Sequence, residues 1–161
     1  MLVFWDWPCL YQKKHGGITP QQLDSFKRGL QSVNVLHGHV GTLCLLCTEG
    51  HYPPGSRPDY KGSGWPYFES LVSTLVKDQD KAVDLPKALE WVRTTGVNTS
   101  DADGNRSIIW LYEYVRRAER QLPVSPDVFD REIVHKRVTN GNDNQVLKDK
   151  FRETFLAVME C

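Results

Sequence analysis

The sequence predicts an α/β fold, with two strands interleaved with helices and a mostly helical second half. Three observations carry that prediction. Leu2–Trp7 and Thr42–Thr48 are short apolar segments of the kind that form buried strands. Between them, Leu23, Phe26, Leu30 and Val33 recur at spacings of three and four, one apolar face of a helix. Beyond the second segment, Gly64-Trp65-Pro66-Tyr67-Phe68-Glu69 opens a helix that carries a carboxylate near its start. A strand, a loop and a helix beginning in this way commonly hold a small ligand in α/β proteins.

The first strand stops at Pro8, and Asp6 lies near its carboxyl end, where ligand sites of open α/β sheets gather. The first helix opens on Thr19-Pro20-Gln21-Gln22, an N-cap, a proline at N1 and a glutamine at N3, and Gly38 is its natural stop. Residues 49–64 hold four Gly and three Pro, too many for a regular element. The helix from Trp65 buries Phe68, Leu71, Val72, Leu75 and Val76. Glu69 falls at the edge of that stripe, beside Trp65, Val72 and Val76. There, desolvation opposes ionisation and the helix dipole favours it. Residues 77–106 are polar, with a short helix over Pro86–Arg93. Ile108, Leu111, Tyr112 and Val115 recur helically, although 108–110 also fits a strand. Ser125-Pro126 caps a helix with Phe129 and Ile133 inward, and Thr139-Asn140-Gly141-Asn142-Asp143 makes a turn. The last helix faces inward through Val146, Leu147, Phe151 and Phe155.

Composition excludes several function classes. Lys+Arg and Asp+Glu are 20 each, and the basic residues are scattered, so no field favours nucleic acid or anionic lipid. The longest wholly apolar runs have five residues, against about 18 for a membrane span. The start lacks the features of a secretory signal, which places the chain in the cytoplasm with its four cysteines as free thiols. Cys44 and Cys47 would fall on opposite faces of a strand, which suits core thiols better than a redox pair or a zinc knuckle completed by His37 and His39. The sequence therefore implies neither a metal nor a resident cofactor. His37 and His39 follow a helix end, where an imidazolium suits the dipole.

Asp6, Leu10 and Gln12, then Gly64 to Glu69, then Thr139-Asn140-Gly141 together resemble a group of protist proteins with the motifs Asp-x-x-x-Leu-x-Gln, Gly-Trp-Pro-x-Phe-Glu and Thr-Asn-Gly. More broadly, the pattern over residues 2–76 is similar to Toll/interleukin-1 receptor (TIR)-like domains and to the heterokaryon-incompatibility domain. The resemblance implies a flavodoxin-like, TIR-like fold: a small parallel sheet flanked by helices over residues 1–76, with residues 77–161 as a helical extension packed on it in one domain. The family's first strand has no counterpart before Leu2, and Pro66 stands where the family has cysteine. The family's catalytic glutamate falls on Glu69, and the implied chemistry is cleavage of the nicotinamide–ribose bond of NAD, with NAD as substrate. Asp6, Gln12, Trp65 and Tyr67 become the ligand-binding candidates, Asp6 on ribose hydroxyls and the aromatic rings on a base.

Two functions follow from different classes. One is a protein-interaction or signalling module on a TIR-like scaffold, with a protein partner or self-association; the absent first strand favours it. The other is an NAD-cleaving or nucleotide-binding enzyme, which requires Asp6, Trp65 and Glu69 to converge at the carboxyl ends of the strands.

Overall fold

A computed structural model describes residues 17–49, 60–78, 81–100, 102, 109–115, 122–138 and 141–160. The Leu2–Trp7 strand, Asp6, Leu10, Gln12, Thr139 and Asn140 lie outside the described residues. Contacts divide the chain into two units, Met1–Leu36 and His37–Cys161.

The first unit contains most of helix α1, Pro20–Gly38. Its start is the capping box read from the sequence. The Thr19 backbone N–H donates to Gln22 Oε1 at 2.9 Å, and the Gln22 N–H donates to Thr19 Oγ1 at 3.2 Å. Two of the helix's orphan amides are thereby satisfied reciprocally.

The second unit is mixed and mostly helical, around a small parallel sheet. Strand β1, Cys44–Leu46, pairs with β2, Ala82–Asp84, in the register Cys44↔Ala82, Leu45↔Val83, Leu46↔Asp84. Parallel strands need a long crossover, and helix α2, Gly64–Val76, lies within it, entered by a 3₁₀ turn at Tyr60–Gly62. The strand β2 was not legible in Lys81-Ala82-Val83-Asp84, where Val83 alone is fully buried. Three residues give periodicity nothing to act on. The Thr42–Thr48 segment likewise contributes only its middle to the sheet.

Helix α2 is buried on more than a stripe. Phe68, Leu71, Val72 and Ser73 are fully covered, and Ser70 and Thr74 nearly so. The two polar hydroxyls at positions 70 and 74 turn back onto the carbonyls of Tyr67 and Leu71, which lets polar residues enter the interior without orphaned donors. Helices α3, Leu85–Thr95, and α4, Ile109–Val115, follow. Val83, Ala88, Tyr114 and Val115 make a small core between β2 and this pair, with Trp91, Trp110 and Leu111 against it.

Helices α5, Pro126–Ile133, and α6, Asp143–Met159, complete the unit. Ser125 caps α5, and Phe129 and Ile133 are fully buried as their spacing predicts. The Phe129 ring stacks on Phe151 at 4.2 Å and on Tyr67 at 5.6 Å, and meets Phe68 edge-on at 6.3 Å. Offset stacks and edge contacts of this kind add to area burial because of the ring quadrupole. Val146 corrects the sequence reading: Leu147 and Phe151 face inward, but Val146 is exposed.

Candidate functional site

Helix α2 begins at Gly64, so Glu69 is its sixth residue, and the first turn contains no acid. The expectation of a carboxylate at the helix N-terminus is corrected accordingly. The dipole's effect fades within the first turn, so Glu69 has to be understood through its neighbours. His37, in the last turn of α1, brings Nε2 to 3.6 Å from Glu69 Oε1, and both side chains are largely covered, at 18% and 17% exposure. The same imidazole turns its other nitrogen, Nδ1, toward Cys44 Sγ at 3.8 Å. The Ser73 hydroxyl, one turn along α2 from Glu69, lies 3.4 Å from that sulfur and 3.3 Å from the His37 carbonyl oxygen. Three elements thus place a carboxylate, an imidazole, a thiol and a hydroxyl in one row.

Tyr60, from the 3₁₀ turn, lies against this row. Burial pushes its phenol well above the ordinary range, and Glu69, Cys44, Cys47 and Asp84 push it further, in that order. A neutral phenol ringed by acidic groups is a hydrogen-bond donor at any physiological pH. Cys47 and Asp84 mark the carboxyl ends of β1 and β2, and those ends are where an open parallel sheet presents ligands. Asp84 accepts a 2.8 Å hydrogen bond from Thr48 Oγ1 and caps α3 through the Lys87 N–H. It ties the two strand ends together.

Trp65 and Tyr67 are placed elsewhere. The Trp65 indole donates to Asp143 at 3.2 Å, at the start of α6. The Tyr67 hydroxyl bonds to Glu132 of α5, and the Lys136 ammonium sits 4.6 Å over its ring. Burial, the Glu132 hydrogen bond and its charge raise the Tyr67 phenol. Of the five residues singled out in the sequence, Glu69 is therefore with the His37–Cys44–Tyr60 group. Trp65 and Tyr67 are engaged by α6 and α5, and Asp6 and Gln12 lie outside the described residues.

Sequence reasoning missed the grouping of five residues here. Tyr60 sits in a Gly/Pro-rich loop with no pattern to mark it. Asp84 precedes Leu85-Pro86, an N-cap signal that was available. His37 is read from the sequence as a helix-end cation, in preference to a zinc ligand. Cys44 and Cys47 were both expected in the core; Cys44 is buried, whereas Cys47 is exposed. Strand β1 ends at Leu46, so Cys47 lies beyond it and alternation within a strand does not set its exposure.

Among the described residues, no three His, Cys, Asp or Glu side chains are grouped so as to hold a metal ion, and no helix is long and apolar enough to cross a membrane. No protein-family model, curated protein or solved structure matches the chain.

Proposed function

We propose that the chain is a TIR-like, flavodoxin-like module that cleaves NAD with Glu69 as the catalytic carboxylate, without the stacking role expected of Trp65, whose indole is held by Asp143. The observation that carries the reading is the setting of Glu69. It is neither a helix cap nor a solvated surface acid, but a mostly covered carboxylate held by His37 beside Tyr60. Departure of nicotinamide takes the C1′–N electron pair with it and leaves positive charge on the ribose. A fixed carboxylate in a partly dry site stabilises that charge. Water then adds at C1′, and its proton passes to the Glu69–His37 pair. The Tyr60 phenol supplies a donor for a ribose or phosphate oxygen.

The test is incubation of the full chain, and of Glu69→Gln, with NAD, following nicotinamide by chromatography. Release by the wild type, reduced about a hundredfold or more in Glu69→Gln, is expected for loss of a principal electrostatic stabiliser. Absence of release by the wild type at high protein concentration overturns the reading.

A second reading, an interaction module that self-associates, is favoured by one surface. Val40, Leu43 and Leu45 are 58%, 50% and 50% exposed on and before β1, and exposed apolar side chains along a strand invite pairing between copies. Sedimentation of the wild type beside Leu45→Glu decides it. A concentration-dependent dimer abolished by the substitution supports self-association, and a monomer throughout removes it.

A further inference from the structure

We propose that Cys44, His37 and Glu69 form a thiol–imidazole–carboxylate relay in which Cys44 is a nucleophile toward small activated acyl groups, esters or thioesters. The inference goes beyond NAD cleavage and does not depend on it. It rests on one imidazole bridging two partners through its two different nitrogens. Nδ1 is 3.8 Å from Cys44 Sγ, and Nε2 is 3.6 Å from Glu69 Oε1. A nucleophile, a base within reach of its proton, and a third group orienting the base from the far side form the general arrangement of covalent catalysis, whatever the fold. The spacing is loose by hydrogen-bond standards, as such contacts often are before substrate is bound.

The three residues come from the end of α1, from β1 and from the second turn of α2, so the relay is held by elements and not by a single loop. Rigid elements hold such groups more precisely than loops do. The Ser73 hydroxyl lies 3.4 Å from the sulfur, to which it can donate and so favour the thiolate. Burial then selects the substrate. Cys44 is only 9% exposed, so the proposal is confined to small acyl donors.

In the acylation step the Cys44 thiol gives its proton to His37 Nδ1, and the sulfur electron pair forms a bond to the carbonyl carbon. The C–O or C–S bond of the donor breaks, and its electron pair leaves with the alkoxide or thiolate, which takes the proton from His37. Glu69 is a positioning residue here. It fixes the ring and stabilises the imidazolium without touching the acyl group. Water, deprotonated by the same imidazole, hydrolyses the thioester and restores the thiol.

The protein carries its own reference thiol, because Cys47 is exposed three residues away. The experiment is exposure of the folded full chain to p-nitrophenyl acetate, with peptide mass spectrometry to locate the acetyl group on each cysteine. The relay predicts that Cys44 is acetylated faster than Cys47 in the native wild type, despite its burial. His37→Gln slows Cys44 about a hundredfold, within the range of general base catalysis, and leaves Cys47 unchanged. Glu69→Gln alters the pH–rate profile at Cys44, and Glu69→Asp partly restores it. If Cys47 reacts first and Cys44 only in denaturant, the proposal is overturned. Equal Cys44 rates in wild type and His37→Gln overturn it as well. Since the readout involves neither NAD nor nicotinamide, this proposal and the NAD reading can fail separately.

Discussion

Lys77, the residue that ends α2, is only 2% exposed. Its ammonium donates to the His39 carbonyl oxygen, to the Thr42 carbonyl oxygen at 2.9 Å and to Thr42 Oγ1 at 2.5 Å. Burial lowers its pKa, the nearby Cys44 favours the charged form, and Lys81 opposes it. The lysine therefore fastens the turn between α1 and β1 to the end of α2, the helix that carries Glu69. Lys77→Met keeps much of the side-chain volume but leaves those oxygens without this donor. Loss of about 1.5–3 kcal/mol in a urea titration is expected, the range for hydrogen bonds made by a charged group. A change within 0.5 kcal/mol, the ordinary range for surface substitutions, would show that the latch contributes little. A lysine in a polar run reads as solvated, so no pattern in Val76-Lys77-Asp78 announces this role.

At the scale of elements, the Gly64-Trp65-Pro66 start of α2 meets Arg137 and Asp143, some seventy residues further along the chain. Gly64 donates its N–H to the Arg137 carbonyl oxygen at 2.9 Å, Ser63 pairs with Arg137 as an isolated parallel bridge, and Trp65 reaches Asp143. A Cβ on Gly64 would stand 2.7 Å from Val138 Cγ1 and 3.4 Å from both Ile133 Cδ1 and Leu147 Cδ1. Gly64→Ala should therefore destabilise by about 1–3 kcal/mol through overpacking, read as a lowered melting temperature with the far-UV spectrum unchanged. Helices were legible in the sequence wherever they had caps and a repeating apolar face, as at Thr19–Gln22 and at Ser125 with Phe129 and Ile133. The sheet was legible only in part, because three-residue strands leave no repeat to read. The site was legible at Glu69, whose place on the edge of a stripe follows from helical geometry. Its companions His37, Cys44 and Tyr60 arrive through tertiary packing, which spacing along the chain does not encode.

For the molecule as a whole, alkaline pH is the informative variable. Burial raises Tyr60, Tyr67 and Tyr114 above the free phenol value near 10. Above pH 10 the unfolded chain gives up these protons and the folded chain keeps them, so stability present below pH 10 is lost as pH rises. Lys77 and Lys150, lowered chiefly by burial, act in the opposite sense. Denaturant titrations between pH 9 and 12 should show wild-type stability falling. Tyr60→Phe should fall less steeply, by at most about 1.4 kcal/mol per pH unit, the limit for one proton; parallel curves would mean that Tyr60 titrates freely in the folded state.

The covering of α2 also has a consequence for how the chain is made. Phe68 is capped by Phe129 of α5, and Gly64 by Leu147 of α6, so the helix bearing Glu69 emerges from a ribosome well before its cover. The roughly eighty residues between Val76 and Met159 take about 4–16 seconds to synthesise at ordinary rates. Until α5 has emerged, the Phe68 ring lacks the Phe129 ring that packs on it. The cover of α2 is therefore complete only once α6 has emerged.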